Sequence, residues 1–326
     1  MAGAELHADY WHTEYVTPFD VTMHGLTRIF HSARTQFQDL SIVETGVFGK
    51  ALVLDGKWQS CTGDEFLYHE PLVHTPAALH GAPRSCLILG GGEGATLREI
   101  LKWRTIERAT MVDIDGEVVE ACRKYLPEMA DGAYEDPRSE LVIGDALAYV
   151  ADRSKAPEGG WDLIISDLSD PIEDGPSWKL FTKELFETFR DALAPEGRLV
   201  VQAGPLMLPS IPAHCKLHRT LREVFAGCAS YSTAVPTYPD PWSWIVTEPA
   251  GAGGARPGAI VDLTPDPRAI DEVLARQVTR PLRMFDGRTM LGMCCLSRHI
   301  RDAISAETEI FTLEKPPTFF GSGVAE

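Results

Sequence analysis

The apolar positions of the chain fall into two patterns that change near residue 80. Up to about Ala77 they form short β-prone pieces broken by turn residues, as in SIVETGVFGKALVLDGKWQS, where Gly46, Gly49 and the pair Asp55 and Gly56 punctuate apolar runs. From Pro83 onward, five short apolar runs recur at fairly regular spacing: SCLILGG, ATMVDID, ELVIGDA, WDLIISD and RLVVQAG. Helical spacing lies between several of them. Val118, Val119, Cys122, Tyr125 and Leu126 recur on one face before Pro127, and Leu185, Phe186, Phe189 and Leu193 do so before Pro195 and Gly197. Strands alternating with helices predict an open parallel sheet covered by helices. The expected architecture is α/β, with a small N-terminal β domain over residues 1–77 and an open-sheet domain over 78–326. The stretch EPAGAGGARPGA, from Glu248 to Ala259, is expected to be a surface loop.

Composition narrows this picture in three ways. No apolar run approaches the roughly 20 residues that cross a membrane, and MAGAELHADYWHTEY lacks the basic flank and apolar core of a signal peptide, so a cytoplasmic location is expected. Thirty basic against 47 acidic side chains give a formal charge of −17, which disfavours nucleic acid and anionic membrane as partners and favours a cationic ligand. The seven cysteines are scattered without a CxxC pair, which predicts buried thiols rather than disulfides or a structural zinc site.

In open α/β sheets the ligand lies beyond the carboxyl ends of the strands. The residues that follow the five runs are acidic: Gly90-Gly91-Gly92-Glu93-Gly94, then Asp113 and Asp115, then Asp145, then Asp167 and Asp170, and last Gln202. Glycines let the backbone turn tightly and admit a ligand. Read as GxGxxA through Gly90, Gly92 and Ala95, the loop also fits a dinucleotide site, with Asp113 or Asp115 on a ribose. That points to adenosine without choosing the cofactor. Glu93 discriminates, because a carboxylate there repels a pyrophosphate or the carboxylate of intact S-adenosylmethionine and suits a ligand ending in a bare ammonium. Asp167 and Asp170 make a second cation site, or Asp170 caps the turn that Pro171 fixes. An amine with a pKa of roughly 10.4 must lose a proton before it can attack, and a carboxylate can take it.

Other candidates carry two readings each. Tyr68 could wall a cavity; His69 could bond a ribose or purine edge, or be a satisfied structural histidine. Tyr238, Trp242 and Trp244 are either core or the wall of a pocket for a long apolar-stemmed substrate. His214 and His218 have the i, i+4 spacing of metal ligands, but no third ligand is evident, so a surface helix and no metal site are expected.

With those residues in hand, the chain resembles the polyamine aminopropyltransferases, the spermidine synthase family. The likeness runs from TQFQD through VLDG, DEFLYHE, LILGGGEGATLREIL, VDID, YLPEM, LVIGDA and ISDLSDP to VQAG and VPTYP. It implies a small N-terminal β domain, a Rossmann-like methyltransferase-type open sheet, and a homodimer or homotetramer. The implied reaction transfers aminopropyl from decarboxylated S-adenosylmethionine, a co-substrate rather than a permanently bound cofactor, to a polyamine, releasing methylthioadenosine. By resemblance, Asp167 is the catalytic base and Asp170 holds the acceptor amine. Glu93 binds the aminopropyl nitrogen, Asp113 the ribose, and Asp145 with Ala146 the adenine. Gln38 and His69 are further donor ligands, and Gln59, Tyr68 and Tyr238 line the acceptor channel. In SCTGDEF the family's usual acidic and basic pair is replaced by Thr62 and Gly63. DLSDPIEDGPSWKLFTKELF, DPWSWIV and AISAETEIF look like the thermospermine synthase branch, which tilts the acceptor from putrescine toward spermidine. Spermidine synthase, spermine synthase, an NAD-dependent dehydrogenase and a non-catalytic polyamine-binding module are the alternatives.

Overall fold

The computed structural model describes residues 8, 10–17, 19–169, 178–250, 259–260 and 263–317. The N-terminal pattern resolves into an antiparallel sheet of consecutive strands: β1 (Tyr10–Thr17), β2 (Asp20–Arg34), β3 (Asp39–Thr45), β4 (Gly49–Leu54) and β5 (Lys57–Cys61). Asp55 and Gly56, both at positive φ, make the tight β4–β5 hairpin that a two-residue loop requires. Leu40, Ile42 and Leu52 are buried against Val118, Ala121, Cys122 and Leu126 of the second unit, while Leu26, Val43, Ala51, Val53 and Trp58 form a separate small core. Thr62 and Gly63 close this sheet: Thr62 Oγ1 accepts from Lys50 N, and a Cβ at Gly63 would stand 2.6 Å from the Phe48 carbonyl oxygen.

The second sheet contains β6 (Ser85–Gly90), β7 (Arg108–Asp113), β8 (Ser139–Ile143), β9 (Trp161–Asp167), β10 (Leu193–Pro205), β11 (Gly227–Thr233), β12 (Trp242–Thr247) and β13 (Ala259–Ile260), in the order β13-β11-β12-β10-β9-β6-β7-β8. The five apolar runs are its parallel strands β10, β9, β6, β7 and β8. The sequence pattern predicts a parallel sheet, and the sheet departs from this on one side. β12 joins β10 antiparallel and pairs with β11 as a hairpin, because no helical crossover separates those strands. Leu193, expected on a helix, pairs with Trp161 as the first residue of β10.

Ten helices lie among the described residues: α1 (Phe66–His80), α2 (Ala95–Leu101), α3 (Gly116–Tyr125), α4 (Pro127–Ala130), α5 (Ala146–Ala151), α6 (Lys183–Ala192), α7 (Ile211–Arg222), α8 (Pro267–Gln277), α9 (Gly287–Cys294) and α10 (Arg298–Ala306). One core holds α1, α2, α8 and α9 against the sheet through Leu72, Leu97, Ile100, Leu274 and Met290; a second holds α5, α6 and α7 through Tyr149, Phe186, Phe189 and Leu217. Helix α1 packs on β9, β10, β12 and α2 and is buried continuously from Tyr68 to Ala78. A helix buried all round carries no amphipathic stripe, which is why the sequence pattern leaves it with the β domain. On this packing we propose that the division between the units falls between Cys61 and Phe66 rather than at Ala77.

Two further expectations change, and a third is left untested. α7 is not a surface helix. His214 is fully buried, with Nε2 2.8 Å from Ser230 Oγ and Nδ1 3.0 Å from Ser243 Oγ, and burial pushes its pKa down to about 4. His218 is buried beside it and pushed down to about 3 by burial, then by His214 and Arg222. Five cysteines are buried, but Cys294 is half-buried and Cys295 exposed. Most of the Glu248–Ala259 loop lies outside the described residues.

Successive residues of a helix point about 100° apart, so Tyr68, His69 and Glu70 reach three different neighbours. Glu70 is fully buried and accepts from the backbone N–H groups of Arg283, Met284 and Phe285 at 2.6–2.9 Å. Glu70→Ala leaves those donors unpaired and is expected to cost about 3 kcal/mol in denaturant unfolding, with Glu70→Gln milder. An unchanged midpoint in Glu70→Ala contradicts this tether.

Candidate active site at the strand-order reversal

The sheet order reverses between β6 and β9: the chain adds β7 and β8 on one side of β6 and β9 and β10 on the other. Such a switch point opens a crevice at the strand ends. There Gly90 pairs with Asp167. Gly90, Gly91 and Gly94 adopt positive φ. A Cβ at Gly90 would stand 2.2 Å from the Asp167 carbonyl oxygen, and a Cβ at Gly92 would stand 2.7 Å from Asp113 Oδ2. The spaces that the absent side chains leave are filled by aspartates from β9 and β7.

Glu93 is buried, and its Oε1 lies 3.0 Å from His69 Nε2. His69 Nδ1 in turn lies 2.9 Å from both the carbonyl oxygen and Oε2 of Glu65. Burial alone would lower the His69 pKa, but the bonds and charges of Glu65 and Glu93 outweigh it and push it up to about 10. Both ring nitrogens therefore donate, and His69 is a cation between two carboxylates. Arg98 Nη2 clamps Glu65 Oε2 at 2.7 Å and ion-pairs with Glu99. Burial would raise the Glu65 carboxyl, yet His69 and Arg98 hold it below the usual range.

Asp167 receives two hydroxyl donors, Tyr68 Oη on Oδ1 at 2.8 Å and Thr96 Oγ1 on Oδ2 at 2.5 Å. Burial and the charge of Glu93 raise its pKa, opposed by His69 and by these two bonds. The ligand atoms of His69, Glu93 and Asp167 all lie within 4.8 Å of one another. With both its nitrogens committed to carboxylates, His69 has no lone pair for a metal. Asp113 is pushed up to about 6 by burial and by Glu93 and Asp115, against the backbone N–H groups of Asp115 and Gly92. Burial and Asp167 drive the Tyr68 hydroxyl well above its usual range, so it stays a neutral donor.

The remaining candidates surround this centre. Asp145 caps α5 through Leu147 N at 2.8 Å, next to buried Ala146. Asp115 departs from expectation: it is buried, its Oδ1 caps α3 through Glu117 N and Val118 N, and its Oδ2 accepts from Thr35 Oγ1 and Gln38 Nε2. Both its oxygens are thus engaged within the protein, one by the start of α3 and the other by Thr35 and Gln38. Tyr68 lies edge-on to Tyr238 at 6.1 Å and to Trp244 at 5.5 Å, and Trp242 stands 4.8 Å from Tyr238. Tyr238 Oη donates to the Gln59 carbonyl, while Gln59 Nε2 donates to Lys57 O. Of the aromatic stretch, Trp244 is core, while Trp242 is half-buried. Asp170 lies outside the described residues, as does the loop to Ser177, and of Trp178 only the backbone is described.

The sequence reading misses Thr96, the Glu65–Arg98 clamp, Thr35, and Tyr134, whose Oη donates to Gly92 O at 2.6 Å. Glu65 and His69 stand four apart, a spacing that signals a helical pair. Nothing local links Arg98 to Glu65 or Thr96 to Asp167, since those contacts join separate elements.

Two family descriptions match the chain, "Spermidine synthase tetramerisation domain" over residues 10–61 and "Spermine/spermidine synthase domain" over residues 65–250. A polyamine aminopropyltransferase of a Synechococcus strain is 47% identical over 316 residues, covering 94% of this chain and 97% of that protein. A thermospermine synthase of Arabidopsis thaliana is 34% identical over 318 residues, covering 97% of this chain and 89% of that protein. A crystal structure of spermidine synthase in complex with the transition-state analogue AdoDATO superposes with a TM-score of 0.80 at 29% identity, covering 93% of this chain and 97% of that one. Sequence, fold and acid-lined crevice agree: the chain belongs to the spermine/spermidine synthase family and is a polyamine aminopropyltransferase.

Proposed function

We propose that the enzyme transfers the aminopropyl group of decarboxylated S-adenosylmethionine to spermidine, giving thermospermine and methylthioadenosine. The observation that carries the transfer is the meeting of Glu93 and Asp167 beside His69 within 4.8 Å at the switch point. Glu93 has Oε1 tied to His69 and offers Oε2 to the aminopropyl ammonium. Asp113 takes the ribose hydroxyls, Asp145 and Ala146 the adenine, and Gln38 further positions the donor. Gln59, Tyr68, Tyr238 and Trp242 wall the acceptor channel, and Asp170 holds the acceptor amine.

In the reaction, an ammonium of the acceptor gives one proton to Asp167, and its freed lone pair attacks the aminopropyl carbon next to the sulfonium. The C–N bond forms as the C–S bond breaks. Sulfur leaves as the thioether of methylthioadenosine, and the product nitrogen is a secondary ammonium. The sulfonium is already a good leaving group, so the protein supplies alignment and a base. A nicotinamide dinucleotide is disfavoured here, because its pyrophosphate would meet Glu93, Asp113 and Asp167 together.

The resemblance to the plant thermospermine synthase and the aromatic wall of Tyr68, Tyr238 and Trp242 support spermidine as acceptor; putrescine as the acceptor, or spermine as the product, are the competing outcomes of the test below. We also assign the oligomer contact to the β1–β2 hairpin. Its register puts Trp11, Tyr15, Val21 and Met23 on one face, and all four are exposed, Tyr15 at 64%. A sheet face of that kind is covered by another subunit. Among the described residues no helix is long and apolar enough to cross a membrane, which is compatible with a cytoplasmic site of action.

Glu93→Gln is expected to weaken decarboxylated S-adenosylmethionine roughly tenfold to hundredfold in calorimetry, the worth of one charge-assisted hydrogen bond, and to leave methylthioadenosine unchanged because it has no ammonium. Equal loss for both ligands contradicts the assignment. Asp167→Asn is expected to cut turnover by roughly 10² to 10⁴ with donor affinity retained; full turnover would refute the base. Chromatography of products from putrescine, spermidine and agmatine checks the acceptor. Thermospermine from spermidine is the expected result, and spermidine or spermine as the main product shifts the specificity.

A further inference from the structure

We propose that Thr96 is a positioning residue for this reaction: its hydroxyl anchors the inner oxygen of Asp167, so that the outer oxygen, Oδ1, is the one that receives the acceptor's proton. The inference rests on the reading of Asp167 as the base and adds to it which atom acts and what holds it.

The two oxygens of Asp167 are not equivalent. Oδ2 points into the loop-helix junction, 3.0 Å from where a Cβ of Gly91 would stand, and takes the Thr96 hydroxyl at 2.5 Å. Thr96 is fully buried in the first turn of α2, where a β-branched side chain has restricted χ1 and its hydroxyl takes the rotamer that bonds Asp167. Oδ1 instead takes Tyr68 Oη, and Tyr68 is part of the aromatic wall with Tyr238 and Trp242. An amine sliding along that wall reaches Oδ1 first. Any Cβ at position 91 would close on Oδ2, so the glycine loop gives the inner oxygen its pocket but not a path for substrate.

The hydrogen bond from Thr96 also favours the ionised carboxylate. The charged and titratable groups that face Asp167 are Tyr68 and His69 from α1 and Glu93 from the loop after β6. Glu93 and burial work against ionisation; His69, Tyr68 and Thr96 work for it. Of that set, Thr96 and His69 contact neither donor nor acceptor in the reaction described above, and of these two it is Thr96 that hydrogen-bonds Asp167. Its loss removes support for the base alone.

The test is the pH profile of kcat at saturating donor and acceptor for the full enzyme and for Thr96→Val, which keeps the branched shape, and Thr96→Ser, which keeps the hydroxyl. A base with a raised pKa loses activity as the pH falls through it, so a further rise moves the acid limb to higher pH. Thr96→Val is expected to shift that limb upward by roughly half to one pH unit and to lower kcat about tenfold at neutral pH, with the KM for the donor unchanged. Thr96→Ser restores the limb. A Thr96→Val profile that superimposes on the parent, or a Thr96→Ser profile shifted as far as that of Thr96→Val, overturns the proposal. Should Thr96→Val fail to fold, Thr96→Ala, with a smaller side chain, is held to the same shift. The two levels separate cleanly. A silent Thr96→Val beside an inactive Asp167→Asn removes only the role of Thr96, whereas a fully active Asp167→Asn removes the base itself.

Discussion

Carboxylates crowded together and largely withdrawn from water are the arrangement on which the rest of this molecule depends. Glu93 and Asp167 sit side by side where the strand order reverses, with Asp113 on the adjacent strand. A buried charge without a partner costs several kcal/mol. The protein offsets that cost differently at each position: an internal cation, His69, for Glu93; two hydroxyl donors for Asp167; a pKa pushed up to about 6 for Asp113. What these devices leave uncompensated is a demand for positive charge, and a cationic donor and a cationic acceptor meet it.

Helix α1 distributes this arrangement through the fold. Tyr68 reaches Asp167, His69 reaches Glu93, and Glu70 holds the backbone of Arg283 to Phe285. Behind His69, Glu65 is gripped by Arg98, and Arg98 also pairs with Glu99, which Lys102 and His74 contact. Buried charge thus continues from the crevice through α1 and α2 with each member partnered, the condition under which a polar network gives a rigid site. The N-terminal sheet contributes from the other side. Thr35 and Gln38, at the β2–β3 turn, bond Asp115 and so hold the start of α3 beneath the glycine loop.

How far this was legible in the amino acids depends on the range of each interaction. The five parallel strands are visible as apolar runs because burial leaves a local signature, complete in β6 and weaker in the edge strand β8, and the acids after them could be named one by one since a strand end and its loop are contiguous. Asp115 shows the limit of that logic: two residues from Asp113 and just as acidic, it has its oxygens engaged in capping α3 and in bonds to Thr35 and Gln38. The helical α1 escaped because burial all round erases periodicity, the antiparallel β11–β12 pair because strand direction leaves no mark in an apolar run, and the burial of His214 and His218 because a polar residue on the inner face of an amphipathic helix reads as a surface one. Thr96 and Arg98 escaped for another reason. Their partners come from other elements, and no spacing along the chain encodes a contact made across the sheet.

The central claim is that this crevice recognises a bare ammonium next to a sulfonium through carboxylate charge. Titration calorimetry of the enzyme with decarboxylated S-adenosylmethionine and with intact S-adenosylmethionine, under identical buffer and salt, tests it most directly. The account predicts that the decarboxylated compound binds at least tenfold more tightly, a difference of about 1.4 kcal/mol, because the carboxylate of the intact compound faces Glu93. Equal affinity, or tighter binding of the intact compound, would contradict it.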